Sequence, residues 1–168
     1  MSIKFLKRLA RHLFIWPAIV KRYFPKVSMR RIEHAIAASE VTHFGEICFV
    51  VESNLHAFDI FRKKSAKKRA IEIFSQFHVW DTAQNNGVLI YLLLADHDFE
   101  ILADRGIHHL VGNDGWEEIS HEMERYFRKG DFELGVLHGV TKISGHLDKH
   151  FPSDADNVNE LTNAPIVI

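Results

Sequence analysis

Only one cysteine, Cys48, occurs in 168 residues. A disulfide framework and a multi-cysteine zinc site within one chain are therefore both excluded. No apolar run approaches the roughly 20 residues needed to cross a bilayer as a helix. The longest one near the N-terminus, Leu13 to Val20, is interrupted by Pro17. Phosphate-cradling glycine loops, dinucleotide fingerprints and serine nucleophile elbows are missing as well. So are internal repeats and low-complexity segments. Acids are absent from the first 31 residues.

What is present is an ordinary globular composition, 46% hydrophobic and 26% charged, long enough for one domain with its own core. The net charge of -1 conceals a division. Nine basic residues lie in the acid-free stretch (Lys4, Lys7, Arg8, Arg11, Lys21, Arg22, Lys26, Arg30, Arg31), and beyond it 12 basic residues face 22 acids. Such asymmetry points to a partner for the basic end.

Residues 1–27 read as a basic amphipathic arm. Leu6, Leu9, Leu13 and Trp16 recur at helical spacing, with Lys4, Lys7, Arg8 and Arg11 around them. A helix of this kind docks on protein, its own domain or a second copy, or lies in an anionic membrane interface. The contact residues are then Lys4, Lys7, Arg8, Arg11 and Trp16. No nucleic-acid motif accompanies the charge, and no nucleic-acid partner is expected. Lys21-Arg22-Tyr23-Phe24-Pro25 follows the apolar run where a small-x-small cleavage site would stand. The chain thus reads as uncleaved and cytoplasmic, peripheral at the inner face of the membrane.

Residues 28–152 read as the folded domain. Ser28 opens a helix that Gly45 ends, and Glu46 to Glu52 is a continuous apolar run, the pattern of a strand buried on both faces. Ala57 to Phe77 reads as one helix with Phe58, Phe61, Ile71, Phe74 and Phe77 inward. Asn86-Gly87 turns into a second buried strand, Val88 to Leu94, and a short polar link leads to a third, Phe99 to Ala103. Gly112 to Gly115 is read as a loop before a helix from Trp116 to Arg128, and Phe132 to Phe151 as a last helix with Leu134, Leu137, Val140, Ile143 and Leu147 inward. Residues 153–168 read as a polar, flexible tail. The long crossover makes strands one and two parallel, and the short link makes strand three antiparallel. The fold class is α/β: a three-layer α/β/α sandwich around a small mixed sheet of three to four strands, plus the helical arm.

This topology gathers polar residues at one sheet edge. Thr42, His43 and Glu46 meet Asp81, Asn85 and Asn86 there, together with Asp104 and Arg105. Asp81, Asn86 and Asp104 offer hard oxygen donors suited to Ca²⁺ or Mg²⁺. Alternatively the Asx residues simply make turns, and Asp104-Arg105 is an ion pair closing a loop. Asp81, Asp104 and His43 are the catalytic candidates, with a carboxylate or His43 as general base. The opposite edge holds Glu52, Ser53, Asp96, His97 and Asp98. The 12 histidines are otherwise scattered, and Cys48 reads as an inert core thiol.

In order, the chain carries Gly45-Glu46-Ile47, Asn86-Gly87-Val88-Leu89-Ile90, Phe99-Glu100-Ile101 with Gly106, a Trp116 helix, and Phe127-Arg128-Lys129-Gly130-Asp131-Phe132 with Gly135-Val136. Over residues 28–152 this set resembles the TPM domain family. The resemblance implies an α/β/α sandwich. It also implies calcium binding in some members and weak acid phosphatase activity in one. Two positions depart from the family pattern. Ala103-Asp104-Arg105-Gly106 stands where relatives have glycine-x-glycine, and Asn85 stands where many have Asp. The expectation is a binding or assembly module near the membrane surface, with a divalent-metal-dependent phosphatase as the alternative.

Overall fold

The computed structural model describes residues 3–15, 18–153 and 158–168. Helices α1 (Ile3–Phe14), α2 (Ala18–Tyr23) and α3 (Lys26–Ser39) precede strand β1 (Glu46–Glu52). Helices α4 (Ala57–Phe61) and α5 (Ala66–Gln76) lead to β2 (Gly87–Leu93). A single 3-10 turn at Leu94–Asp96 then leads to β3 (Asp98–Ala103). Helices α6 (Arg105–Phe127) and α7 (Phe132–His150) follow, and β4 (Ile166–Val167) ends the chain's ordered path.

The sheet order is β3-β2-β1-β4, with β1 parallel to β2 and β4, and β3 antiparallel to β2. All seven residues of β1 and of β2 are buried. Successive strand side chains point to opposite faces, so each strand feeds two cores. Ile47, Phe49, Val51, Val88, Ile90 and Leu92 pack with residues of α3, α6 and α7 on one face. Cys48, Val50, Leu89, Tyr91 and Leu93 pack with Ile60, Ala70 and Ile73 on the other. The fold is the expected α/β sandwich. Burial pushes the Cys48 thiol up to about 12, so it stays protonated and inert.

Three expectations are corrected. The helix expected over residues 57–77 is two helices. The chain turns left-handed at Lys63 (φ 54), and Ser65 caps α5 by accepting the Lys68 N–H. The break changes the face presented inward, so Phe58, Phe61 and Ile71 are 63%, 58% and 54% exposed. The expected loop at Gly112 is a kink inside α6, carried by Gly112 itself (φ 72, ψ 170). In α7, Leu134 faces solvent while Val136, Val140, Ile143 and Leu147 face the core.

The tail is not uniformly polar and flexible. Its apolar end returns as β4, pairing Ile166 with Val50 and Val167 with Val51. The Ile168 N–H donates to Val51 O, and the Ser53 N–H donates to Ile168 O. An uncovered edge on so buried a strand would leave main-chain groups unpaired, and the tail supplies their partners. Asp154 to Asn157 lie outside the described residues.

At the other end of the strands, Glu52 accepts both Nε and Nη2 of Arg69 (2.9 and 3.1 Å) and the Tyr91 hydroxyl (2.6 Å). This buried network ties α5 to β1 and β2.

Gly87 is required by space: a Cβ there would stand 1.9 Å from the Val79 carbonyl oxygen. Gly87→Ala is expected to cost at least about 2 kcal/mol, because backbone rather than a side chain must give way. Urea denaturation measures it.

Candidate functional site

At the start of β2, the Gly87 carbonyl accepts the Asp104 N–H (2.8 Å), and Val88 pairs with Ala103. Asn86 and Asp104 therefore come to the same sheet edge, as the topology predicted. Asn86 is fully buried. Its main-chain N–H donates to Thr82 Oγ1 and its Nδ2 to the Phe44 carbonyl, both at 3.0 Å. Gly106 lets α6 approach closely, since a Cβ there would be 2.5 Å from Asn85 O. Asp104 is the N-cap of α6, its Oδ1 accepting the Arg105 N–H at 2.7 Å. A cap, not an ion pair with the Arg105 guanidinium, is what this carboxylate makes. Asn86 Oδ1 and Asp104 Oδ2 are left buried without a hydrogen-bond partner among the described residues.

The other two candidates do not complete this arrangement. Asp81 is exposed on the loop after α5. His43 is fully buried, and its main chain bridges to Pro152. Burial lowers its pKa and keeps the ring neutral. Among the described residues, no group of three or more His, Cys, Asp or Glu is arranged to hold a metal ion.

Glu46, which the topology placed at this edge, is joined there by a second carboxyl, Glu40, that sequence reading did not single out. Glu40 ends α3, and its Oε1 accepts the Ile47 N–H at 3.0 Å. Glu46, fully buried, accepts the Glu160 and Leu161 N–H groups through its two oxygens (3.0 and 3.1 Å). The Glu160 carboxylate in turn accepts the Ala83 N–H. Burial pushes Glu40 up to about 8 and raises Glu46, each resisting a charge in the core. The partners lie 114 residues apart, which is why no local pattern revealed them.

The opposite edge is where the basic arm docks. Asp96 accepts Arg8 Nε (2.9 Å) and Nη2 (2.7 Å), and His12 Nε2 lies 3.0 Å from its Oδ1. His12 Nδ1 accepts the Leu55 N–H at 2.9 Å, so a neutral ring must carry its proton on Nε2, the nitrogen beside Asp96. Arg11 reaches the same carboxylate at 3.6 Å. These donors hold Asp96 well below the usual carboxylate range despite its burial. Phe5 and Leu9 enter the core on the α5 side. Of the expected contact residues, Arg8 is thus committed to the domain and Arg11 partly so. Lys4 and Lys7 remain exposed, and Trp16 lies outside the described residues.

At 100° per residue, α1 has three sectors, each roughly 100° wide or less. His12, Phe5 and Leu9 face the domain. Lys4, Lys7, Arg8 and Arg11 form a basic sector. Ile3, Leu6, Ala10, Leu13 and Phe14 form a third, and its large side chains all face solvent, with Ile3 72% and Phe14 80% exposed. Helix α4 lies against the domain-facing side of α1, with Phe5 and Phe61 in ring contact at 5.5 Å.

A mixed sheet between helical layers, with the charged residues of β1 at its two ends, defines an α/β sandwich. The family model of the TPM domain matches residues 22–146, and the chain belongs to that family. Among solved structures it is similar to the NMR structure of the BA42 protein from the psychrophilic bacterium Bizionia argentinensis. The identity is 29% over 84% of this chain and 92% of that one, with a TM-score of 0.75. No curated protein matches. Helix α1 lies outside the matched region. No described helix is long and apolar enough to cross a membrane.

Glu40 sets a pH dependence. Its carboxyl is raised from 4.5 to about 8, so the stability it contributes is full below 4.5 and lost as pH rises through 8. Glu40→Gln keeps an acceptor for Ile47 and cannot ionise. The variant is expected to show a flatter stability profile across that interval and to exceed wild type at its upper end, by urea denaturation at each pH.

Proposed function

We propose that this TPM-domain protein is a binding module acting at an anionic membrane surface, with the outward sector of α1 as its contact. The observation that carries this reading is the solvent-facing apolar sector, bordered by Lys4, Lys7 and Arg11, on a helix whose opposite side is fixed to the domain. An interfacial helix needs an apolar side to enter the acyl boundary and cations to meet the headgroups. Each exposed Lys or Arg near such a surface contributes about 1 kcal/mol. Burial of Ile3, Leu6, Leu13 and Phe14 adds the apolar part. Phe58 and Phe61 on α4 are further exposed apolar side chains, and Arg62 lies over the Phe58 ring at 4.2 Å.

Vesicle flotation tests the reading. Binding of the full chain is expected on phosphatidylglycerol vesicles, weakening with salt, and absent on purely neutral ones. Leu6→Glu/Leu13→Glu, at exposed positions, is expected to abolish it without unfolding the protein. Undiminished flotation of that variant would assign the surface elsewhere. Association of the chain with itself through this face, read by light scattering, would replace the membrane with a second copy.

A second reading is supported by the two buried, unpartnered oxygens of Asn86 and Asp104. Those two oxygens are hard donors of the kind that would take Ca²⁺ or Mg²⁺, and the ion would polarise a phosphate ester for weak hydrolysis. Calcium titration followed by NMR is expected to shift the Asn86 and Asp104 amides. In Asp104→Asn, which keeps the helix cap, the shifts should disappear, and unchanged shifts would refute the site.

A further inference from the structure

A groove of about 810 Å³ runs between α2, the start of α3 and β4. It lies within the roughly 300–1,000 Å³ range of small-molecule sites. Val20 and Phe24 form its buried floor, and Met29 and Val167 its walls. Its polar side chains are Lys21, Lys26 and Arg30. No carboxylate and no neutral hydrogen-bonding side chain lines it. None of the three cations is ion-paired among the described residues. Glu133, on the helix that packs against α3, is taken by Ser28 and Arg31.

That combination selects a ligand class. A sugar or nucleotide would leave its hydroxyl and base-edge donors unmatched, since no nitrogen or oxygen of a lining side chain accepts a hydrogen bond. A peptide added alongside β4 would be held by main-chain bonds, and a two-residue strand offers few. An unbranched hydrocarbon chain with one anionic end matches both properties. Met29 supplies an adaptable wall for a flexible chain. Lys26 and Arg30, four residues apart, stand together on one face of α3 and can meet one carboxylate from two sides.

We propose that the groove binds a single long-chain fatty acid, its carboxylate at Lys26 and Arg30 and its chain over Phe24 toward Val167. The site is distinct from the membrane-facing sector of α1 and takes its ligand as a monomer. It is built partly from segments on either side of the region matched to the family, Lys21 before it and Val167 after it.

The test uses the full chain, without vesicles, and a fluorescent stearate below its micelle concentration. Saturable one-to-one binding is expected, displaced by palmitate and not by its uncharged methyl ester. Lys26→Glu/Arg30→Glu, at two exposed positions, is expected to weaken it by about tenfold, the scale of a few surface charge interactions. A diazirine-bearing palmitate is expected to label residues 18–30 and Val167. Non-saturating uptake, unchanged affinity in the double variant, or labelling confined to α1 would each overturn the proposal. Flotation of the Lys26→Glu/Arg30→Glu protein on phosphatidylglycerol vesicles reports separately on the α1 surface.

Discussion

Burial of β1 and β2 on both faces and along both edges is the constraint on which the structure depends. A strand so enclosed has no room for polar side chains along its length. Only its ends can hold them. Glu46 and Glu52, the first and last residues of β1, are both buried, and each is satisfied by partners from far along the chain. Glu46 anchors the returning tail, and Glu52 anchors α5 through Arg69.

The two ends of the sheet have been used differently. One end is closed by main chain: loops around Asn86, the cap at Asp104 and the tail strapped across Glu46 leave little free polarity beyond the oxygens of Asn86, Asp104 and Asn163. The other is closed by the basic arm, where a single carboxylate, Asp96, gathers two arginines and a histidine. Removing one partner from such a cluster costs more than the cluster contributes net, because the remaining charge is left desolvated. The arm is consequently part of the fold, although it lies outside the region matched to the TPM domain.

How much of this was legible depended on how local the signal was. Strands β1 and β2 announced themselves as unbroken apolar runs, and the crossover length settled their relative direction. Asn86 and Asp104 followed from that topology. Phe58 and Phe61 misled, because helical periodicity was carried across a break that Lys63 and Ser65 introduce. Once the register slips there, small residues such as Ala66 and Ala70 take the buried face. β4 was hidden by its neighbours: three apolar residues after a polar stretch look like a tail until the open edge of β1 is in view. The Glu46 clamp and the Asp96 cluster join segments roughly 85 to 115 residues apart, and no spacing rule reports such pairs. Asp96 was noticed as an edge residue, but only the arm's angle showed what it holds.

That angle carries a consequence of its own. Helix α1 divides its circumference among three sectors, so rotation about its axis decides which one meets the domain. Inserting one residue between Leu6 and Arg8 would turn the halves by about 100° relative to each other, one full sector. The anchor at Asp96 would hold, yet the first turn would present lysines where its hydrocarbon had been. A change of length in the arm is therefore felt in all three sectors at once, as in a keyed shaft.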